Sequence, residues 1–234
     1  MNRFYCSFLD VQRDKIIISD FGQLHHLKDV LRFKTGDTAV IFDNNGNEYC
    51  VVLEKISEKQ AEFRVEEKKS GGNLDKTRIV IACAIPKKSK IDDIIDKLTQ
   101  LGADRIVPLM TGRVIVKMDK AKELQRQKRW EKTALPASKQ SQRNTVPMVD
   151  PVTDFGQLIR RSQEFDLKLI PNLIGERKTL KEVLVGKKPK SVLVLIGPEG
   201  DFTPDETADA IKAGFISITF GNSVFRVETA CLYI

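Results

Sequence analysis

Hydrophobic positions follow two patterns along this chain, and the pattern changes once. Through roughly the first seventy residues, the runs "KIIIS", "DTAVIFD", "EYCVVLEKI" and "AEFRVEE" are rich in β-branched and aromatic residues and are separated by polar turns. That is the signature of short strands. "DNNGNE" supplies a hairpin-type turn in which Gly46 and the asparagines can take positive φ. One helical stretch, "QLHHLKDVLRF", interrupts the strands and is followed by the turn "KTGD". Together these predict a small β-barrel-like domain over residues 1–70. The polar run "EEKKSGGNLDK", with Gly71 and Gly72, predicts a linker before a second domain over residues 76–234.

In that second region strands alternate with helices. "RIVIACAI" is a continuous apolar strand, and Ser89 to Gly102 predicts a helix. Its residues Ile91, Ile94, Ile95, Leu98 and Leu101 share one face, and Gly102 can end it. "RIVPLM" reads as a strand, and Asp119 to Arg143 as a basic helix disturbed at Pro136. Helices "FGQLIRR", "LKEVL" and "PDETADAIKAG" then alternate with strands "LKLIPN", "SVLVLIG" and "FISITFG". The alternation predicts an α/β domain with a mainly parallel sheet buried on both faces.

Composition narrows the function classes. The chain has 234 residues, 41% of them hydrophobic, which suits one large domain or two small ones with real cores. A net charge of +7 and a pI near 9.2 suit a polyanionic partner, RNA or DNA before membrane. No apolar run approaches a membrane span, and "MNRFYCSFLDVQRDK" does not read as a secretory signal. Cys6, Cys50, Cys83 and Cys231 lie far apart without a CxxC pair, and His25 and His26 are the only histidines. No metal site or disulfide framework is expected, and a cytoplasmic location is.

Chemistry concentrates at "LVLIGPEGDFTPD". An apolar strand ends at Gly197, where ligands of open parallel sheets bind. Thr203 as N-cap, Pro204 at the first helical position and Glu206 closing a capping box account for the acidity of the helix start. The two glycines flanking Pro198 and Glu199 need another reason. Glu199, Asp201, Asp205 and Glu206 would repel a phosphate, and no phosphate-loop motif is present. A neutral or cationic ligand fits better; S-adenosylmethionine, with a sulfonium, an ammonium and no phosphate, is one. In "ITFGNSVFRVETACLYI" Gly221 marks a second strand end, followed by a helix start near Glu228. The two turns can form walls of one pocket or be ordinary strand-to-helix connections. In "KTALPASKQSQRNTVPMVD", Gln140 and Arg143, with Lys132 and Lys139, offer either a basic, amide-bearing RNA face or a solvated helix face.

Five strings, in order and over nearly the whole chain, resemble the RsmE-type 16S ribosomal RNA uridine-N3 methyltransferases of the SPOUT superfamily. They are His26 with "VLRFKTGD", "IPKKSKIDDIIDKLTQLGADRIVPL", "ASKQSQRNTVP", "IGPEGDFTPDE" and "FGNSVFRVETA". The resemblance implies a PUA-like β-barrel that helps hold RNA and a SPOUT-type α/β domain with a trefoil knot. It further implies bound S-adenosylmethionine, a homodimer, and a uridine of the 30S subunit as substrate. Carried over by position, the cofactor residues are Ile196, Gly197, Pro198, Glu199, Gly200, Phe220, Gly221, Asn222, Val224, Phe225 and Thr229. The substrate residues are Arg32, Gln140, Arg143 and Arg226. Uridine N3 must lose a proton to react, so Arg226 is the candidate for stabilising charge on the base, or else an ion-pair partner that steadies the turn, and Glu228 is the candidate general base, or else a carboxylate serving the backbone N–H groups of the helix start. Asp201, Ser223 and Gln100 depart from the family's usual glycine, arginine and glutamate. Two alternatives remain open: an RNA-binding protein with a degenerate knot, and a transfer RNA methyltransferase of the same superfamily.

Overall fold

A computed structural model of the chain describes residues 2–7, 10–12, 14–71, 76–87, 90–115 and 119–234. The chain divides into two compact units, Met1–Leu74 with Ser138–Val146, and Asp75–Ala137 with Pro147–Ile234.

The first unit is built on β1 (Arg3–Tyr5), β2 (Val11–Gln12), β3 (Lys15–Ile18), helix α1 (Phe21–His25), β4 (Thr38–Phe42), β5 (Asn47–Ile56) and β6 (Ala61–Ser70). Helix α1 runs directly into a π-helical turn, His26–Val30. The strands form one sheet in the order β1-β4-β5-β6-β3-β2. Only β1 and β4 pair in parallel; the other neighbours are antiparallel. Alternation along β5 and β6 turns Tyr49, Val51, Leu53 and Phe63 into a core with Phe4, Ile16, Leu27 and Ile41. The hairpin turn is organised by Asp43. Its carboxylate accepts the N–H groups of Asn45 and Asn47 at 2.9 and 3.2 Å and the Tyr49 hydroxyl at 3.0 Å. Burial, with Asp43 beside it, pushes the Tyr49 hydroxyl up to about 12. Positive φ falls on Asn44 (64°) and Gly46 (84°).

Two details differ from the sequence reading. Strand β1 was not anticipated, since three residues carry too little alternation to register. The expected linker starts too early, because Glu66 to Ser70 belong to β6 and Glu67 to Ser70 are paired with β5. Gly71 is packed as well: its N–H donates to the Gly46 carbonyl at 2.8 Å, and a Cβ there would lie 2.5 Å from that same oxygen. Residues 72–75 of the expected linker lie outside the described residues, and its last residue, Lys76, donates to Asp104 at 3.2 Å in the second unit.

The second unit contains β7 (Arg78–Ala84), α2 (Ile91–Leu101), β8 (Arg105–Met110), α3 (Lys120–Gln140), β9 (Met148–Val149), β10 (Thr153–Asp154) and α4 (Phe155–Arg161). It continues through β11 (Leu167–Pro171), β12 (Lys178–Thr179), α5 (Leu180–Leu184), β13 (Ser191–Ile196), α6 (Pro204–Lys212), β14 (Ile216–Thr219) and α7 (Val227–Tyr233). The sheet order is β10-β8-β7-β13-β11-β14-β12, with β9 also beside β8, and every pairing is parallel. All of β13 is buried, which is why it reads as an unbroken apolar run rather than an alternating one.

Helix α2 starts at Ile91 and ends on Gly102, whose φ is 102°; Ser89, the expected start, lies outside the described residues. Leu101, assigned to the buried face, is 64% exposed. Helix α3 does not break at Pro136. An internal proline costs about 3 kcal/mol, but Trp130, Ala134, Ala137 and Ser138 are buried along this helix, and tertiary packing holds it through the interruption. The last residues of α3, from Ser138, belong to the first unit. Among the described residues no helix is long and apolar enough to cross a membrane, no cluster of three metal-ligating side chains occurs, and the cysteines are free.

Candidate functional site

Strands β13, β11 and β14 lie side by side in parallel, so the loops at their carboxyl ends converge. They enclose a cavity of about 410 Å³, a volume typical of small-molecule sites. Of the residues assigned to the cofactor, Ile196, Gly197, Pro198, Glu199, Phe220, Gly221, Asn222, Val224 and Phe225 line it. Gly200 and Thr229 do not. Helix α7 closes the cavity with Val227 and Ala230. A third wall was missed in the sequence: Pro171, Asn172, Leu173 and Arg177 follow β11. No glycine marks that strand end. The available signal was an apolar strand ending in Pro-Asn.

Each loop has a local cause. At Gly197 a Cβ would meet the Phe202 ring at 3.1 Å and Asp201 Oδ1 at 3.2 Å, so glycine lets that buried ring close tightly over the turn, and any side chain there must push the ring or the carboxylate aside. At Gly221 a Cβ would meet nothing, but φ is 95°, a backbone state that favours glycine. Asp201 also takes a positive φ, 61°. Its Oδ1 accepts the Phe202 N–H at 2.8 Å and its Oδ2 the Leu173 N–H at 3.1 Å, so one carboxylate staples two walls of the cavity. The capping box is present: the Thr203 N–H donates to Glu206 at 2.9 Å, and the Glu206 N–H donates to Thr203 Oγ1 at 3.1 Å. Glu206 also accepts the Gly112 N–H at 2.7 Å, and Arg113 donates to the carbonyls of Gly200 and Phe202. Glu199 accepts the Lys87 N–H at 3.3 Å. The loop after β14 is held by aromatic contacts, with Phe220 and Phe225 stacked at 5.8 Å and Tyr233 about 5 Å from both.

Arg226 is the exposed N-cap of α7, between Phe225 and Val227 of the lining. Glu228, in the first turn, forms an ion pair with Lys90. That hydrogen bond, then the residue's own backbone N–H, holds the Glu228 carboxyl below its ordinary range. A carboxylate so stabilised is a weak proton acceptor. Of the departures from the family pattern, Asp201 and Ser223 line the cavity, and Gln100 donates to Asp96 at 2.8 Å on α2.

The remaining substrate candidates fall in the first unit. Arg32 is exposed with φ 54° just past the π-helical turn. Gln140 is exposed, and Arg143 is half-buried with a guanidinium contact to Thr145 Oγ1 at 3.3 Å.

The chain matches two families: residues 73–234 match an RNA methyltransferase domain, and residues 18–66 an RNA methyltransferase PUA domain. It is 32% identical to the ribosomal RNA small subunit methyltransferase E of Bacillus subtilis over 90% of this chain and 84% of the relative. Identity to the Mesomycoplasma hyopneumoniae protein of the same name is 30%, over 98% and 96% of the two chains. Among solved structures, a ribosomal RNA small subunit methyltransferase E from Neisseria gonorrhoeae bound to S-adenosyl methionine superposes with a TM-score of 0.86 at 27% identity, covering 99% of this chain and 94% of that one.

Proposed function

The chain belongs to the RNA methyltransferase family, and from that premise we propose that it transfers a methyl group from S-adenosylmethionine to N3 of a uridine in small-subunit ribosomal RNA, working in the cytoplasm as a homodimer. The observation that carries the reading is the cavity at the ends of β13, β11 and β14. Its lining suits a cationic, phosphate-free ligand. Ile196, Ile218, Val227 and Ala230 offer apolar surface, and the carboxylates of Glu199 and Asp201 favour positive charge. Asn172 Oδ1, in the same lining, is a buried acceptor with no partner among the described residues. Bound there, S-adenosylmethionine would supply an electrophilic methyl group.

The chain's own residues would handle the uracil. Its N3 carries a proton and becomes a good nucleophile only as that proton leaves for water. Arg226, exposed beside the lining, stabilises the negative charge that spreads over the base. Glu228 is committed to Lys90 and to the start of α7, so we assign it to holding Lys90 and the helix rather than to accepting the proton. Arg32, Gln140 and Arg143 contact the RNA from the first unit. Exposed Leu101, Leu232 and Tyr233 on α2 and α7, which pack together, offer an apolar face for the second copy. The trefoil knot that the resemblance implies belongs to the same proposal.

A methyl-acceptor assay tests the reading. With labelled S-adenosylmethionine, 30S subunits or their RNA should become labelled and yield N3-methyluridine on nucleoside analysis. Transfer only to transfer RNA, or to a different base, overturns it.

A further inference from the structure

The segment Ser138–Val146 continues from α3 yet is fastened to the rest of the first unit through helix α1, strand β1 and the turn between β4 and β5. Lys139 Nζ donates to Gln23 Oε1 at 2.9 Å, and the same amide side chain pairs with both the N–H and the carbonyl of Tyr5. Arg3 Nη2, from β1, donates to Asn144 Oδ1 at 2.7 Å and to the Arg143 carbonyl at 3.3 Å. The Val146 N–H donates to Asn44 Oδ1 at 2.6 Å.

Arg3 is the central fastening. Its side chain is only 10% exposed, its Nη1 pairs with Glu48 at 2.9 Å, and its guanidinium lies 5.6 Å from the centre of the Phe42 ring. Its Nε is buried and has no partner among the described residues. A buried ion pair is a poor source of stability, because desolvation offsets much of the attraction. What a planar guanidinium does well is to hold two partners at once in fixed directions, here Glu48 of the sheet and Asn144 of the segment. Asn144 is confined on another side by Gly71, where a Cβ would lie 2.9 Å from its Nδ2.

We propose that Arg3 is a positioning residue for RNA recognition: it fixes the segment bearing Gln140 and Arg143 onto the first unit, so that the β-sheet sets the geometry with which these residues meet the RNA. This rests on the assignment of Gln140 and Arg143 to the RNA side.

The test uses the full chain, small-subunit ribosomal RNA and S-adenosylmethionine. Asn144→Ala removes the shorter of Arg3's two contacts to the segment and leaves the Arg3–Glu48 pair in place, so it remains informative where Arg3→Lys lowers stability. Each is expected to weaken RNA binding about tenfold, the size of one coupled contact, with cofactor affinity by calorimetry within about twofold of wild type. In a Gln140→Ala/Arg143→Ala background neither should cost anything further, because the effect runs through those two residues. Wild-type RNA affinity in Asn144→Ala overturns the proposal, as does full additivity in the double-variant background. If the double variant alone binds RNA like wild type, the assignment of Gln140 and Arg143 fails, and the role of Arg3 fails with it.

Discussion

Two glycines of the cavity are required for different reasons, and their variants should separate accordingly. Gly197→Val forces a side chain against the Phe202 ring, while Gly221→Val forces a branched residue into positive φ. Both are expected to abolish cofactor binding in calorimetry with the fold retained. Gly221→Asn, which tolerates the left-handed region, should keep part of it. Asp201→Gly relieves a positive φ but leaves the Leu173 and Phe202 N–H groups without their acceptor. Since a hydrogen bond to a charged group contributes about 1.5–3 kcal/mol, cofactor affinity should fall on the order of tenfold; unchanged affinity would remove Asp201 from the shaping of the site. Arg226→Ala should slow single-turnover methylation about a hundredfold or more at saturating cofactor while cofactor affinity stays near wild type. Arg226→Lys should recover only part of the rate, because a point charge replaces a planar fork. An alanine variant as fast as wild type would remove Arg226 from the chemistry. The strand-end glycines were legible because apolar runs stop at them. Asn172 was not, because its role depends on β11 lying between β13 and β14, an order that no local pattern contains.

Among the elements, apolar runs located β8 and β13 closely, and the Thr203–Glu206 capping box with Pro204 located the start of α6. The two-residue strands β9, β10 and β12 are too short for any period to register. The placement of Ser138–Val146 was hidden for a different reason: a polar segment carries no mark of the core it will pack against, and Arg3 and Asn44, distant in sequence, decide it. Helix α7 offers a test by pH. Lys90 and the backbone N–H hold the Glu228 carboxyl below its ordinary range, so the interaction stabilises the folded chain above the ordinary carboxylate pKa and is lost as pH falls through that range and below it. Wild type should therefore unfold at a higher temperature than Glu228→Gln at pH 7, and the two should converge in acid. Equal midpoints at pH 7 would show that the pair contributes nothing. A methylation rate in Glu228→Gln close to wild type agrees with its assignment to holding α7, whereas a large loss of rate at neutral pH that recovers as pH rises toward ionisation of the uracil N3 would make it the base.

For the whole molecule, a net charge of +7 on an RNA-binding chain predicts affinity that falls steeply as salt rises, because each phosphate neutralised by lysine or arginine releases counterions. A flat dependence of binding on salt would contradict phosphate contact. Sedimentation at micromolar concentration should give twice the 26.5 kDa chain mass, and a monomer would remove the proposed α2–α7 interface. Trp130 adds a consequence of its own. It is the chain's single tryptophan, is 1% exposed, and sits in the part of α3 that belongs to the second unit. Its fluorescence is therefore a reporter for one half of the chain, whereas far-ultraviolet circular dichroism registers both. Recording the two signals through a single denaturant titration would show, by coincidence or separation of the curves, whether the halves melt as one cooperative body or in succession.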